Sequence, residues 1–173
     1  MRIIWIGSSI CLPREKENPD FPLREYPQKP LPAVAGVLLG PRGVLLVRRA
    51  RPPARGLWSF PGGVMRLGES PEEALRREFM EETGLKICPG PLLAAVSKVF
   101  RDTADRIQYH YVILDYLVRG EEGSLKSGTD ADAVRWIPLN QLHRFDVTDG
   151  LMELIGTIDH HQGKAVQQEG FGL

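Results

Sequence analysis

Runs of apolar and β-branched residues, punctuated by glycine and proline, dominate the chain. Val34–Leu39 and Val44–Arg49 are two such runs, separated by Gly40-Pro41-Arg42-Gly43, and they predict a β-hairpin. A loop rich in proline, arginine and glycine follows from Arg51 to Gly56. Leu57–Phe60 predicts a short strand that Pro61-Gly62-Gly63 ends. Leu92–Phe100 and Ile107–Val118 predict two long strands joined by a polar turn. Glu121–Ala131 reads as a polar loop, Val134–Ile137 as a further short strand and Asp149–His160 as a terminal amphipathic helix. One strong helix stands before the long strands. Strands outnumber helices and helices are interspersed among them, which predicts an α/β sandwich around a mixed sheet.

The ends read differently. Six prolines among many charges fill Pro13–Pro32, a composition that sustains neither a helix nor a central strand. Residues 1–32 are therefore expected to form a Pro-rich N-terminal arm, residues 33–163 the folded domain and residues 164–173 a loose tail. The length of 173 residues is enough for one domain with a real core. Apolar content of 42%, charged content of 25% and zero formal net charge are those of an ordinary globular protein. They give no sign of the basic excess of a nucleic-acid binder. No stretch of 18 or more apolar residues predicts a membrane span. Cys11 and Cys88 fit no metal spacing and read as free thiols, consistent with a cytoplasmic protein.

The helix carries the chemistry. Ser70-Pro71-Glu72-Glu73 is a capping box with proline in the first turn, and Thr83-Gly84 is a stop, so the helix is expected over Pro71–Glu82. At about 100° per residue, with Leu75 and Phe79 facing inward, Glu82 falls about 20° from Leu75 and Glu78 about 60° away. Glu81 lies further round on the same side. A surface helix places its carboxylates opposite the core, and like charges three and four residues apart repel. Inward carboxylates need compensation, most simply from a bound cation, and an all-oxygen donor set favours Mg²⁺ or Mn²⁺. Gly62 and Gly63, just before the helix, let the backbone approach a metal or phosphate closely.

The array Gly63-x5-Glu69-x7-Arg77-Glu78-Phe79-x-Glu81-Glu82-x-Gly84-Leu85 resembles the Nudix box at every defining position. A chance match anywhere in the chain is on the order of one in ten million at average residue frequencies. The resemblance implies a Nudix-type α/β/α sandwich with a mixed β-sheet and a Mg²⁺- or Mn²⁺-dependent hydrolase. Its substrate would be a small-molecule nucleotide and its assembly a homodimer. By position, it implies that Glu78 and Glu82 are the main metal ligands and that Glu81 is a ligand or base. The carbonyl of Gly62 would complete the site, and Glu69 and Arg77, with Gly63 and Gly84, would hold loop and helix together. Asp130 and Asp132, and less strongly Glu121 and Glu122, are candidates for an additional acid or base from a later loop.

Substrate contacts are expected from Arg49, which related members place near the nucleotide, and from Trp58 and Phe60, which could stack on a base. Arg101, in the turn between the long strands, could clamp a phosphate. Tyr109–Tyr116 and Arg135–Leu139 are similar to ADP-ribose pyrophosphatases, although that subgroup's proline downstream of the box has no counterpart near Phe100-Arg101. ADP-ribose, cleaved to AMP and ribose 5-phosphate, is the leading expectation. A housecleaning nucleoside triphosphate pyrophosphohydrolase is the alternative within the class. A nucleotide-sensing, non-catalytic module is the alternative outside it.

Overall fold

In the computed structural model, residues 24–120, 123–125 and 131–158 are described. Strands β1 (Leu31–Gly40) and β2 (Gly43–Arg49) form the expected hairpin, with Leu39 opposite Val44 and Gly40 opposite Gly43. β1 begins two residues before the expected domain start at residue 33. Leu31 is buried and stands opposite Tyr111, the first rung of a parallel ladder with a later strand. Residues 24–30 of the arm are irregular, as expected.

A two-residue β3 (Trp58–Ser59) pairs with β2. The glycines read as a strand stop are instead a strand. In β4 (Gly62–Val64), Gly62 lies antiparallel to Ala35 and Val64 to Ala33. Glycine carries no local strand preference, so this pairing is supplied entirely by the edge of β1. Helix α1 (Pro71–Thr83) follows, then the long antiparallel pair β5 (Ile87–Arg101) and β6 (Ile107–Gly120). β5 starts five residues before the expected Leu92. Pro89 and Pro91 do not stop it, because β5 lies at the sheet edge and absorbs them through register shifts between Pro89 and Ala94. β7 (Ala131–Ile137) pairs with β2, a 3-10 helix covers Leu139–Arg144, and α2 occupies residues 151–158. The expected end of that helix at His160, the tail at 164–173, Cys11, Glu121, Glu122 and Asp130 lie outside the described residues.

The sheet runs β3-β2-β1-β6-β5, with β4 also on β1 and β7 also on β2. Alternation along β1 and β2 sorts the core into two layers. Val34, Leu38 and Leu45 meet Leu75 and Phe79 of α1 on one face. Val37, Val44 and Leu46 meet Leu151, Ile155 and Ile158 of α2 on the other. The architecture is an α/β/α sandwich. β6 runs parallel to β1 and antiparallel to β5, which makes the sheet mixed.

Candidate functional site

Both ends of α1 are fixed by local chemistry. The Ser70 hydroxyl accepts the Glu73 N–H at 3.2 Å, and the Glu73 carboxylate accepts the Ser70 N–H at 2.9 Å. Gly84 closes the other end in the left-handed region, φ 75°, its N–H donating to the Met80 carbonyl at 3.1 Å. With its ends set and Leu75 and Phe79 fully buried, the helix has one rotational phase. That phase buries Glu82 to 9% exposure and buries most of the Glu78 side chain, as the wheel predicts. Glu81 is exposed. It sits about 120° from Leu75, past the edge of the buried stripe.

Arg77 ties the acidic side chains together. Its guanidinium donates to both carboxylate oxygens of Glu69, at 2.6 and 2.8 Å, to Glu78 at 2.6 Å and to the Val64 carbonyl at 3.2 Å. A longer contact of 3.3 Å reaches Glu81, which Arg66 also approaches at 3.2 Å. The two-pronged bond to Arg77 holds the Glu69 carboxyl at a pKa of about 2. Glu78 goes the other way. Burial raises its pKa above the ordinary glutamate value, against the pull of the same arginine. Arg77 itself, bound chiefly by Glu69, is held protonated.

The glycine loop is pressed against these carboxylates. A β-carbon on Gly63 would lie 2.6 Å from the Glu78 carboxyl carbon, and one on Gly62 would lie 2.1 Å from the Val34 carbonyl oxygen. Only glycine fits at Gly62, where the clash is with backbone, and a side chain at Gly63 would push the Glu78 carboxylate out of place. The Gly62 N–H donates to Glu82 Oε2 at 2.9 Å, so strand β4 orients the deepest carboxylate of the helix.

Glu78, Glu82, Gly62 and Gly63 form one side of a cleft of about 490 Å³. Its other walls come from β1, β5 and β6, from α2 and from the 49–54 loop. Arg49 lines it, as expected, with its Nε donating to the Pro53 carbonyl at 2.9 Å, and so does the buried Phe60. Trp58 does not reach the cleft. It is buried in the α2 layer, edge-on to Phe145 at 5.8 Å, so it serves the core and not a base. Arg101 is also elsewhere: its guanidinium folds back on its own turn, donating to the Asp105 carbonyl at 2.8 Å. Along β5 the inward place is taken by Phe100, a cleft residue. Asp132 is exposed on β7 and is not a cleft residue. Among the described residues, no three His, Cys, Asp or Glu side chains converge on one point. Glu81 is drawn away toward Arg66 and Arg77.

Sequence reasoning missed Arg24, Arg51, Lys98, Tyr111 and Asp115, all of which line the cleft. Asp115 had a visible signal: it continues the inward series Tyr109, Tyr111, Ile113 at a spacing of two, a charge at a core position. It is 8% exposed, and burial raises its pKa to about 6, with Lys98 opposing.

The family description "NUDIX domain" matches residues 29–155, an interval that contains the capped helix, the glycine loop and every wall of the cleft except its most N-terminal and C-terminal residues. An ADP-ribose pyrophosphatase of Methanocaldococcus jannaschii is 36% identical over 113 residues, covering 65% of this chain and 64% of the relative. The human 8-oxo-dGDP phosphatase NUDT18 is 32% identical over 142 residues, 79% of this chain and 41% of the relative. The chain thus spans less than two thirds of these relatives' lengths. In structure, the MutT protein of Methanosarcina mazei Go1 superposes with a TM-score of 0.65 at 23% identity, over 78% of this chain and 97% of its own. The Glu-rich helix locked to a glycine strand is therefore a Nudix box in its folded form, and the chain belongs to the MutT-like Nudix hydrolases.

Proposed function

We propose that this hydrolase cleaves the phosphoanhydride of a nucleoside diphosphate derivative, with ADP-ribose giving AMP and ribose 5-phosphate. The observation that carries the reading is the single cleft that joins the Glu78–Glu82 edge of α1 to an arginine-bearing wall. Glu78 and Glu82 would hold Mg²⁺ or Mn²⁺ with the Gly62 carbonyl, an all-oxygen donor set on the cleft wall. A bound divalent cation supplies charge neutralisation and a water of lowered pKa. Glu82 is kept in place by the Gly62 N–H, and Glu78 by Arg77, which Glu69 anchors to the loop. Arg49 and Arg51, on the opposite wall, face the diphosphate with positive charge. Ser70 is committed to its cap, so the box offers no side-chain nucleophile and water attacks directly. We further propose a cytoplasmic homodimer whose working domain begins with β1 at Leu31, two residues before the expected boundary, and runs to residue 163. ADP-ribose leads because the archaeal pyrophosphatase relative bears that name.

A second reading, hydrolysis of a damaged nucleoside di- or triphosphate, is favoured by the human relative. One assay tests both. Protein is incubated with ADP-ribose, 8-oxo-dGDP or nucleoside triphosphates, with Mg²⁺ or with EDTA, and products are separated by chromatography. Metal-dependent AMP and ribose 5-phosphate are expected, and in ¹⁸O-water one label on one phosphate. Full turnover in EDTA would overturn the metal assignment. ADP as a product would show that the wrong bond was chosen.

A further inference from the structure

The cleft contains a second acidic position that the hydrolytic chemistry leaves unused. Asp115 is on β6, opposite Ala35 of β1 and Ala94 of β5, and the small side chains on both sides leave space above it. Ala35 is also opposite Gly62, on β1's other edge. Asp115 therefore lies two strand spacings from the glycine of the metal side, roughly 10 Å. That matches the reach from a diphosphate to the far part of its nucleoside.

Its environment is short of donors. No hydrogen bond from any described residue reaches the Asp115 carboxylate, although it is 8% exposed. The nearest cation named for it, Lys98, acts only through its field and donates instead to the Asp149 carbonyl at 3.0 Å. Ser59, another residue of the cleft, has its Oγ buried without a partner among the described residues. The Asp115 oxygens open to the cleft and are not sealed from it, so a ligand that displaces water there must bring donors of its own or leave the carboxylate unpaired at a cost.

We propose that Asp115 is the specificity-determining residue of the cleft and accepts hydrogen bonds from an adjacent pair of donors on the substrate's nucleoside. This rests on the nucleotide reading above. Two groups offer such a pair: the N1–H and N2–H₂ edge of guanine, and the cis-diol of a ribose.

Equilibrium binding separates these sources and does not depend on turnover. GMP, IMP, AMP and 2′-deoxy-GMP are titrated calorimetrically, in EDTA, into wild type, Asp115→Asn and Asp115→Ala, with thermal melts confirming that each variant is folded. Wild type is expected to discriminate by about 10- to 100-fold against the ligand lacking the donor it reads. That ligand is IMP for the base edge and 2′-deoxy-GMP for the diol. Both variants should lose that discrimination while still binding the weaker ligands as wild type does. Variants that keep the wild-type discrimination, or weaken every nucleotide equally, overturn the proposal, as does a wild type that binds none of them. Normal hydrolysis with unchanged discrimination sinks this inference alone. Nucleotide binding that depends on Asp115 in a protein that hydrolyses nothing sinks the hydrolytic reading alone.

Discussion

Two acidic regions border the same cleft and are built in opposite ways. On the α1 side the four box carboxylates are bound: Glu82 by the Gly62 N–H, Glu69 and Glu78 by Arg77, Glu81 by Arg66 and Arg77. On the β6 side Asp115, 8% exposed, opens to the cleft and no described group donates to it. The first arrangement is complete before any ligand arrives, and it fixes where carboxylate oxygens stand. The second is complete only when a ligand supplies what the protein does not. Preorganised groups suit chemistry, which needs fixed positions, and unfilled acceptors suit selection, which rejects whatever fails to fill them.

Substitutions probe that contrast, from the largest expected effect down. Glu82→Gln keeps an oxygen for the Gly62 N–H but removes the charge. Hydrolysis should fall by about three orders of magnitude, ~4 kcal/mol in transition-state stabilisation, with the melting temperature unchanged or higher. An unfolded variant whose surviving fraction is fully active would make Glu82 structural. Arg77→Ala leaves Glu69 and Glu78, with side chains 19% and 12% exposed, without their cation. Urea unfolding should register a loss of about 3 kcal/mol. A loss under about 1 kcal/mol would show the α1 network to be ornamental to stability.

Asp115→Asn should move stability in the opposite direction, and only at high enough pH. The folded-state pKa of about 6 stands above the ordinary value of 3.8, so the native state holds its proton more tightly than the unfolded chain. Asp115's contribution to wild-type stability is then most favourable below about pH 4, declines as pH rises through 6 and is least favourable above it, while Glu69, with its pKa of about 2, contributes in the opposite sense at acid pH. The asparagine variant escapes this decline and should be the more stable protein at pH 8, by an amount on the order of 2 kcal/mol, with the gap closing at pH 4. A pH-independent difference would mean that the carboxylate is already satisfied. Arg101→Ala should do least. Its exposed pair with Asp105, 3.6 Å long, is worth under about 0.5 kcal/mol, and activity should change less than about twofold. A large activity loss would return Arg101 to the cleft.

Legibility followed locality. Ser70, Pro71, Glu73 and Gly84 act on their immediate neighbours, so α1, its ends and the inward angle of Glu82 were readable from the sequence. The β1–β2 hairpin was readable for the same reason. β4 was not, because Gly62-Gly63-Val64 becomes a strand only through Ala33-Val34-Ala35, nearly thirty residues earlier. The early start of β5 was hidden by prolines that an edge strand tolerates. Trp58 and Phe60 looked alike in sequence, and they part because Phe145, far downstream, packs against Trp58. Arg101 was expected at the cleft from its place in a turn, yet Asp105 in that same turn holds it. Asp115 carried its signal in its own strand, but its meaning came from the strands on either side.

The parallel pairing of β1 with β6 has a consequence for how the protein comes into being. Ala35 and Asp115 meet across that ladder from positions 80 residues apart in the chain. The capped helix and the hairpin can form early from neighbouring residues, while the cleft floor must wait until β6 has been made and the long loop has closed. Such distant pairings are slow, since the entropy of closure is lost before any contact offsets it. During synthesis, the nascent chain would hold its acidic helix well before it holds a pocket. A ligand of the cleft would therefore bind only the finished fold, and would slow its unravelling without hastening its birth.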